Sequence, residues 1–151
     1  MSYKLGKTSL RRLDGVNQQI RDVVEQAIQI TEVDFSVVEG MRTQKRQDAL
    51  LARGATTVTV SQHQHGLAVD LVPYISGPRW EFTPMMDVAS AMSKAANRAR
   101  VKLRWGGCWR MIWDKPYSAN ALADMVAKYQ QRRIAKGYRP FVDAWHFEVR
   151  Q

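Results

Sequence analysis

Three histidines and a few carboxylates carry most of the chemistry open to this chain. His63 and His65 stand two apart in SQHQHGLAVDLV, and Asp70 follows in the same segment. His146 lies far downstream in DAWHFEV, with Asp143 just before it and Glu148 just after. Zinc takes imidazole nitrogen and carboxylate oxygen, and a catalytic zinc keeps three protein ligands and one open position. His-x-His is a usable ligand spacing on a strand, because alternate residues share a face. Asp70 sits among apolar neighbours, where burial is costly unless the carboxylate is paired or bound to metal. Residue types alone leave two readings open: a metal site, or histidines with ordinary hydrogen bonds.

The elements that must hold these residues can be read from pattern. Leu10, Leu13, Val16, Ile20, Val23, Val24, Ala27 and Ile28 recur at helical spacing, which predicts one helix of about 20 residues capped by Thr8 or Ser9. DFSVVEG (34–40) reads as a strand closed by Gly40, TQKRQDALLAR as a short helix, and TTVTV (56–60) as a β-branched strand. GLAVDLV is a further strand, with Ala68, Asp70 and Val72 on one face. YISGPRWEF is a loop. Thr83 before Pro84 then marks a helix start, and the stripe from Met85 to Ala99 follows, its methionines read as core filler. VKLRW is a strand ending at Gly106-Gly107, SANALADMVAKYQQRRIAKG the last helix, and AWHFEV the last strand. Helices interspersed with short strands predict an α+β fold with a small, mainly antiparallel sheet.

The 151 residues suit a single domain spanning 1–151, with no separate wall-binding unit. A lone cysteine, Cys108, forms no internal disulfide and no cysteine-based zinc site. The opening MSYKLGKTSLRRLDG has no apolar core of a secretory signal, and no apolar run reaches the ~18 residues of a membrane span. A net charge of +9 favours polyanionic partners.

The pattern Ser61-x-His63-x-x-Gly66-x-Ala68-x-Asp70, with Asp143-x-x-His146 far downstream, resembles the M15 family of zinc peptidases. That family includes D-alanyl-D-alanine carboxypeptidases and the L-alanyl-D-glutamate endopeptidases of phage endolysins. DFSVVEGMRT resembles the strand-and-arginine segment of the endolysin branch, and LRWGGCW its tryptophan-glycine turn. The resemblance implies an M15-like peptidase fold, one Zn2+ per chain, and His63, Asp70 and His146 as its ligands. His65 falls at a variable position of the motif. Asp143 takes the place of the catalytic acid, and Arg42 that of an arginine on the substrate or oxyanion. Ser61 and Trp105 are expected to touch substrate or support the residues that do. Cys108 departs from relatives that carry a polar residue after WGG. An aspartate that takes a proton from a water and returns it to the leaving amine needs a pKa raised from about 3.9.

The function so implied is a phage endolysin cutting the L-alanyl-D-glutamate bond of the peptidoglycan stem for host cell lysis. It would be made in the host cytoplasm, reach the wall after holin-type release, and act as a monomer on an anionic envelope without stable membrane insertion. A carboxypeptidase acting on terminal D-alanine is the close alternative. A basic nucleic-acid-binding protein is the distant one, and it lacks a recognised motif.

Overall fold

The apolar stripe from Leu10 to Ile28 is divided between two helices rather than carried by one. The computed structural model describes residues 2–55 and 61–150, and in it α1 (Lys7–Arg12) and α2 (Gln18–Ile30) are separated by a turn. Gly15 adopts φ +80° there, and Asn17 Oδ1 caps α2 by accepting from the Gln19 and Ile20 amides at 2.9 and 3.4 Å. Leu13 and Val16 stay buried across the break, so the apolar period records a shared core rather than a continuous helix. Neither Thr8 nor Ser9 is the cap: Gly6 holds that position, and Ser9 Oγ instead accepts from the Val37 amide at 3.0 Å. The Asn17 amide donates to Gly66 O at 2.7 Å, which pins the break against the turn that carries His63.

Among the described residues, five strands form one sheet in the order β1-β2-β5-β3-β4. They are β1 (Phe35–Glu39), β2 (Ala68–Pro73), β3 (Arg104–Trp105), β4 (Arg110–Met111) and β5 (His146–Glu148). Every pairing among the described residues is antiparallel. This is the α+β architecture expected, although VKLRW contributes only two strand residues and β4 follows it after a tight reversal. The expected strand at 56–60 lies outside the described residues.

Alternation along β2 and β5 separates core from site. Val69, Leu71 and Phe147 join the main apolar core. Asp70 pairs directly with His146 across the two strands, and Ala68 with Glu148, so these four share the opposite face.

The described residues hold three further helices: α3 (Gln44–Ala52), α4 (Phe82–Ala99) and α5 (Ala119–Ala135). Thr43 Oγ1 and Ser118 Oγ cap α3 and α5. The α4 cap is Glu81, two residues before the expected Thr83, which leaves Pro84 within the first turn, where its missing N–H costs nothing. Met85, Val88, Ala89, Met92, Ala95 and Ala96 are buried along α4, facing the Ile20–Ile28 stripe of α2.

Candidate metal centre

His63 sits on a single 3-10 turn, Gln62–His65, that leads into β2. Ser61 precedes the turn, and its amide donates to Gln64 Oε1 at 2.9 Å. Gly66 ends it at φ +68°, and a Cβ there would press on the Gly15 carbonyl. The Arg42 amide donates to His63 O at 2.8 Å, which ties the turn to the end of β1. His63 is buried, and its Nδ1 lies 2.9 Å from Gly40 O. A carbonyl only accepts, so Nδ1 carries the proton and Nε2 presents a lone pair.

His146 is arranged the other way round. Its Nε2 lies 2.9 Å from Glu148 Oε1, leaving Nδ1 to face inward. Asp70 Oδ1 is 3.2 Å from His63 Nε2 and 3.2 Å from His146 Nδ1. Two imidazole nitrogens and a carboxylate oxygen thus converge on one point, with ligand atoms within 4.8 Å of one another. Such a point needs a cation, either protons or a metal ion. Two imidazoles and one carboxylate are a donor set that suits zinc, and both outer nitrogens are already hydrogen-bonded as metal-ligating histidines generally are.

The electrostatics agree. Burial raises the Asp70 carboxyl, but its hydrogen bonds to His146 and His63 and their positive charge overcome this and hold it well below the usual range. Burial lowers His146, yet its bonds to Asp70 and Glu148 outweigh that and push it up to about 9. Asp143 is pushed above the ordinary carboxylate value by burial and by the Asp70 charge, against the pull of His146. That is the direction a group alternating between base and acid requires.

Gly106 fixes Asp143 and His146 together. Its amide donates to His146 O at 2.8 Å, and its carbonyl accepts from the Asp143 amide at 2.9 Å. A Cβ at this position would collide with the Asp143 carbonyl.

His63, Asp70, Asp143 and His146 line one cleft of about 1250 Å³, with Arg42, Ser61 and His65 also on its wall. Arg42 is buried and gripped from two sides. Nε and Nη2 donate to the two Glu39 carboxylate oxygens at 2.8 and 2.7 Å, and Nη1 donates to Gln47 Oε1 at 2.8 Å and to Ser61 Oγ at 3.4 Å. His65 is exposed at the rim, and His63 rather than His65 joins the convergent set.

Trp105 lies elsewhere. It is fully buried, absent from the cleft wall, and donates from Nε1 to Ala144 O at 2.7 Å. The structure therefore gives it a supporting place under the Asp143–His146 loop and no surface for substrate. The tryptophan in the cleft is Trp109, stacked on Phe141 with centroids 5.8 Å apart and tilted against His146. Cys108 is buried in the core, where burial raises its thiol, so the departure at this position does not reach the cleft wall. Sequence reasoning gave no role to Glu39 or Glu148. The spacing of Glu148 from His146 on a strand was the available signal, since period two puts both on one face.

Three comparisons bear on this geometry. A family model described as phage L-alanyl-D-glutamate peptidase matches residues 1–121, which include Arg42, Ser61, His63 and Asp70 but stop short of Asp143 and His146. The L-alanyl-D-glutamate peptidase of Escherichia phage T5 is 31% identical over 119 residues, covering 76% of this chain and 87% of its own. The solved structure of the Serratia marcescens L-Ala D-Glu endopeptidase ChiX is similar with a TM-score of 0.73 at 24% identity, covering 99% of this chain and 90% of that one.

Proposed function

The chain belongs to the phage L-alanyl-D-glutamate peptidase family, and from that premise we propose that it is a zinc-dependent endolysin cutting the L-alanyl-D-glutamate bond of the peptidoglycan stem. His63, Asp70 and His146 hold one zinc ion, and Asp143 is the general base and acid. The observation that carries this reading is the convergence of two imidazole nitrogens and a carboxylate oxygen on one point, beside a carboxyl whose proton affinity is raised.

Zinc, when bound, supplies Lewis acidity toward the scissile carbonyl and acidifies a water. Asp143 accepts the proton that this water gives up as its oxygen bonds to the carbonyl carbon. The same carboxyl then donates that proton to the amide nitrogen as the C–N bond breaks, leaving a carboxylic acid on L-alanine and an amine on D-glutamate; the acid's remaining proton passes to the amine to give carboxylate and ammonium. Arg42 stabilises the negative charge on the carbonyl oxygen. Among the described residues its grip on Glu39, Gln47 and Ser61 engages four of five N–H donors, and the long Ser61 contact is the one most readily redirected. Ser61 and Trp105 act by support, the first through Arg42 and the second through Ala144. The protein works as a monomeric single catalytic domain on an anionic envelope, after release from the host cytoplasm. Among the described residues no helix is long and apolar enough to cross a membrane.

The test is digestion of a defined muropeptide followed by mass analysis. New L-alanine C-termini and D-glutamate N-termini are expected, whereas release of free D-alanine alone would replace this reading with the carboxypeptidase. Asp143→Asn should keep zinc and lose roughly 10²–10⁴-fold in turnover. Chelation with confirmed metal loss should abolish lysis, and full lysis under that condition would remove zinc from the mechanism.

A further inference from the structure

We propose that Glu148 is a positioning residue that locks the tautomer and orientation of His146, and thereby selects Nδ1 as the nitrogen facing the metal. This rests on the metal-centre reading above. Glu148 is 4% exposed, and its Oε1 lies 2.9 Å from His146 Nε2. A carboxylate only accepts, so this contact keeps a proton on Nε2, and Nδ1, facing Asp70, is the nitrogen left to give up its proton to a metal. The imidazole stands between Glu148 and Asp70, so Glu148 is not itself one of the convergent ligands.

Glu148 is in turn aimed by cations. Arg104 is its direct cross-strand partner on β3, with Nη1 3.5 Å from Oε2. Arg150 Nε lies 3.4 Å from the same oxygen. Arg104 is itself fixed, donating from Nε to Trp109 O at 3.1 Å with its guanidinium 5.2 Å from the Trp109 ring centroid. One Glu148 oxygen is thereby committed to the arginines and the other to the histidine. The contrast with His63 sharpens the point. There the matching task falls to the Gly40 carbonyl, which no side-chain substitution removes. The two histidine ligands are thus oriented by different means, and only the His146 side depends on a replaceable side chain.

The experiment measures zinc Kd by chelator competition and reads the imidazole nitrogens of the zinc-loaded protein by 15N NMR. The wild type should show Nδ1 of His146 coordinated and a slowly exchanging proton on Nε2. Glu148→Leu should weaken zinc by about 10–100-fold, the range for loss of a group that orients a ligand, and the Nε2 proton should exchange freely. Glu148→Gln retains an acceptor and should recover most of the affinity. Coordination through Nε2 in the wild type would overturn the proposal whatever the variants do. So would a folded Glu148→Leu that binds zinc within threefold of wild type. Failure of the wild type to bind zinc would instead bring down the metal centre itself, and this inference with it.

Discussion

On the proposed reading, zinc must expel a proton from this site, and the pH dependence of binding follows from that. In the metal-free protein the His146 imidazole, pushed up to about 9 by Asp70 and Glu148 against the effect of burial, is protonated at neutral pH. Its Nδ1 proton then occupies the space between Nδ1 and Asp70 Oδ1, 3.2 Å apart, that a metal ion needs. Below the titration point each pH unit costs about a factor of ten in apparent affinity, so Kd should weaken about 100-fold from pH 8 to pH 6 through His146 alone. Calorimetry in buffers of different protonation enthalpy should count about one proton released per zinc near pH 7.

The same proton stabilises the metal-free fold. The folded value lies above the ordinary 6.5, so the contribution is fully present below 6.5 and is lost as pH rises through about 9. At ~1.36 kcal/mol per pH unit this interval amounts to about 3 kcal/mol. It is counted once, because the depressed Asp70 and the elevated His146 are two sides of one ion pair. Metal-free melting temperatures should therefore fall between about pH 7 and pH 9.5, while the zinc-loaded protein should show no such decline from this group. An affinity that stays flat from pH 6 to pH 8, with no proton released, would refute the reasoning. His146 would then be neutral before the metal arrives, and the pairing with Asp70 and Glu148 would not set its charge.

Substituting the two neighbouring histidines should give opposite results in the same chelator competition: His63→Ala should lose at least ~100-fold in zinc affinity, and His65→Ala should stay within about twofold, with the reverse order showing that the exposed histidine is the ligand. Gly106→Ala should drive a methyl group into the Asp143 carbonyl, costing about 1–3 kcal/mol in denaturant unfolding and weakening zinc as the Asp143–His146 loop shifts; an unchanged transition and Kd would contradict the close approach. Arg42→Lys keeps the charge but loses the two-pronged bond to Glu39, and should destabilise the fold by about 1–3 kcal/mol while reducing kcat; a melt equal to wild type would show that the Glu39 grip is energetically idle.

Which parts of the fold and site were legible in the sequence depended on how far apart the deciding residues lie. Asp70 was legible because a carboxylate inside an apolar, alternating segment violates the local pattern, and such violations concentrate at sites. The β1, β2, α3 and α5 segments each carry enough residues for a period to emerge. The break between α1 and α2 was missed because Leu13 and Val16 continue the apolar spacing straight through it. The deciding residues were Gly15 and Asn17, whose effect is local backbone geometry rather than period. β3 and β4 have two residues each, too few for alternation to register, and only their pairing defines them.

Trp105 and Trp109 show the limit most directly. Both lie within two residues of the same pair of glycines and look alike as residue types, but the reversal at Gly106-Gly107 sends them to different places. Trp105 follows the strand alternation into the core, opposite Phe147. Trp109 leaves the turn at φ +57° with its ring against His146. A turn that bends back on itself erases the period by which a face is assigned, so no count of residues along the chain could have chosen between them. Glu148 is the complementary case. Its face was available from its spacing to His146, but its role was not, because that role depends on Arg104 standing opposite it in the β3–β5 register. Without that cation, a carboxylate beside His146 could as well have been a ligand. With it, one oxygen is held by the arginines and the other is turned onto the outer nitrogen of the ring. Donor types are thus a property of the sequence, whereas the side of the His146 imidazole that is turned toward Asp70 is a property of strand pairing.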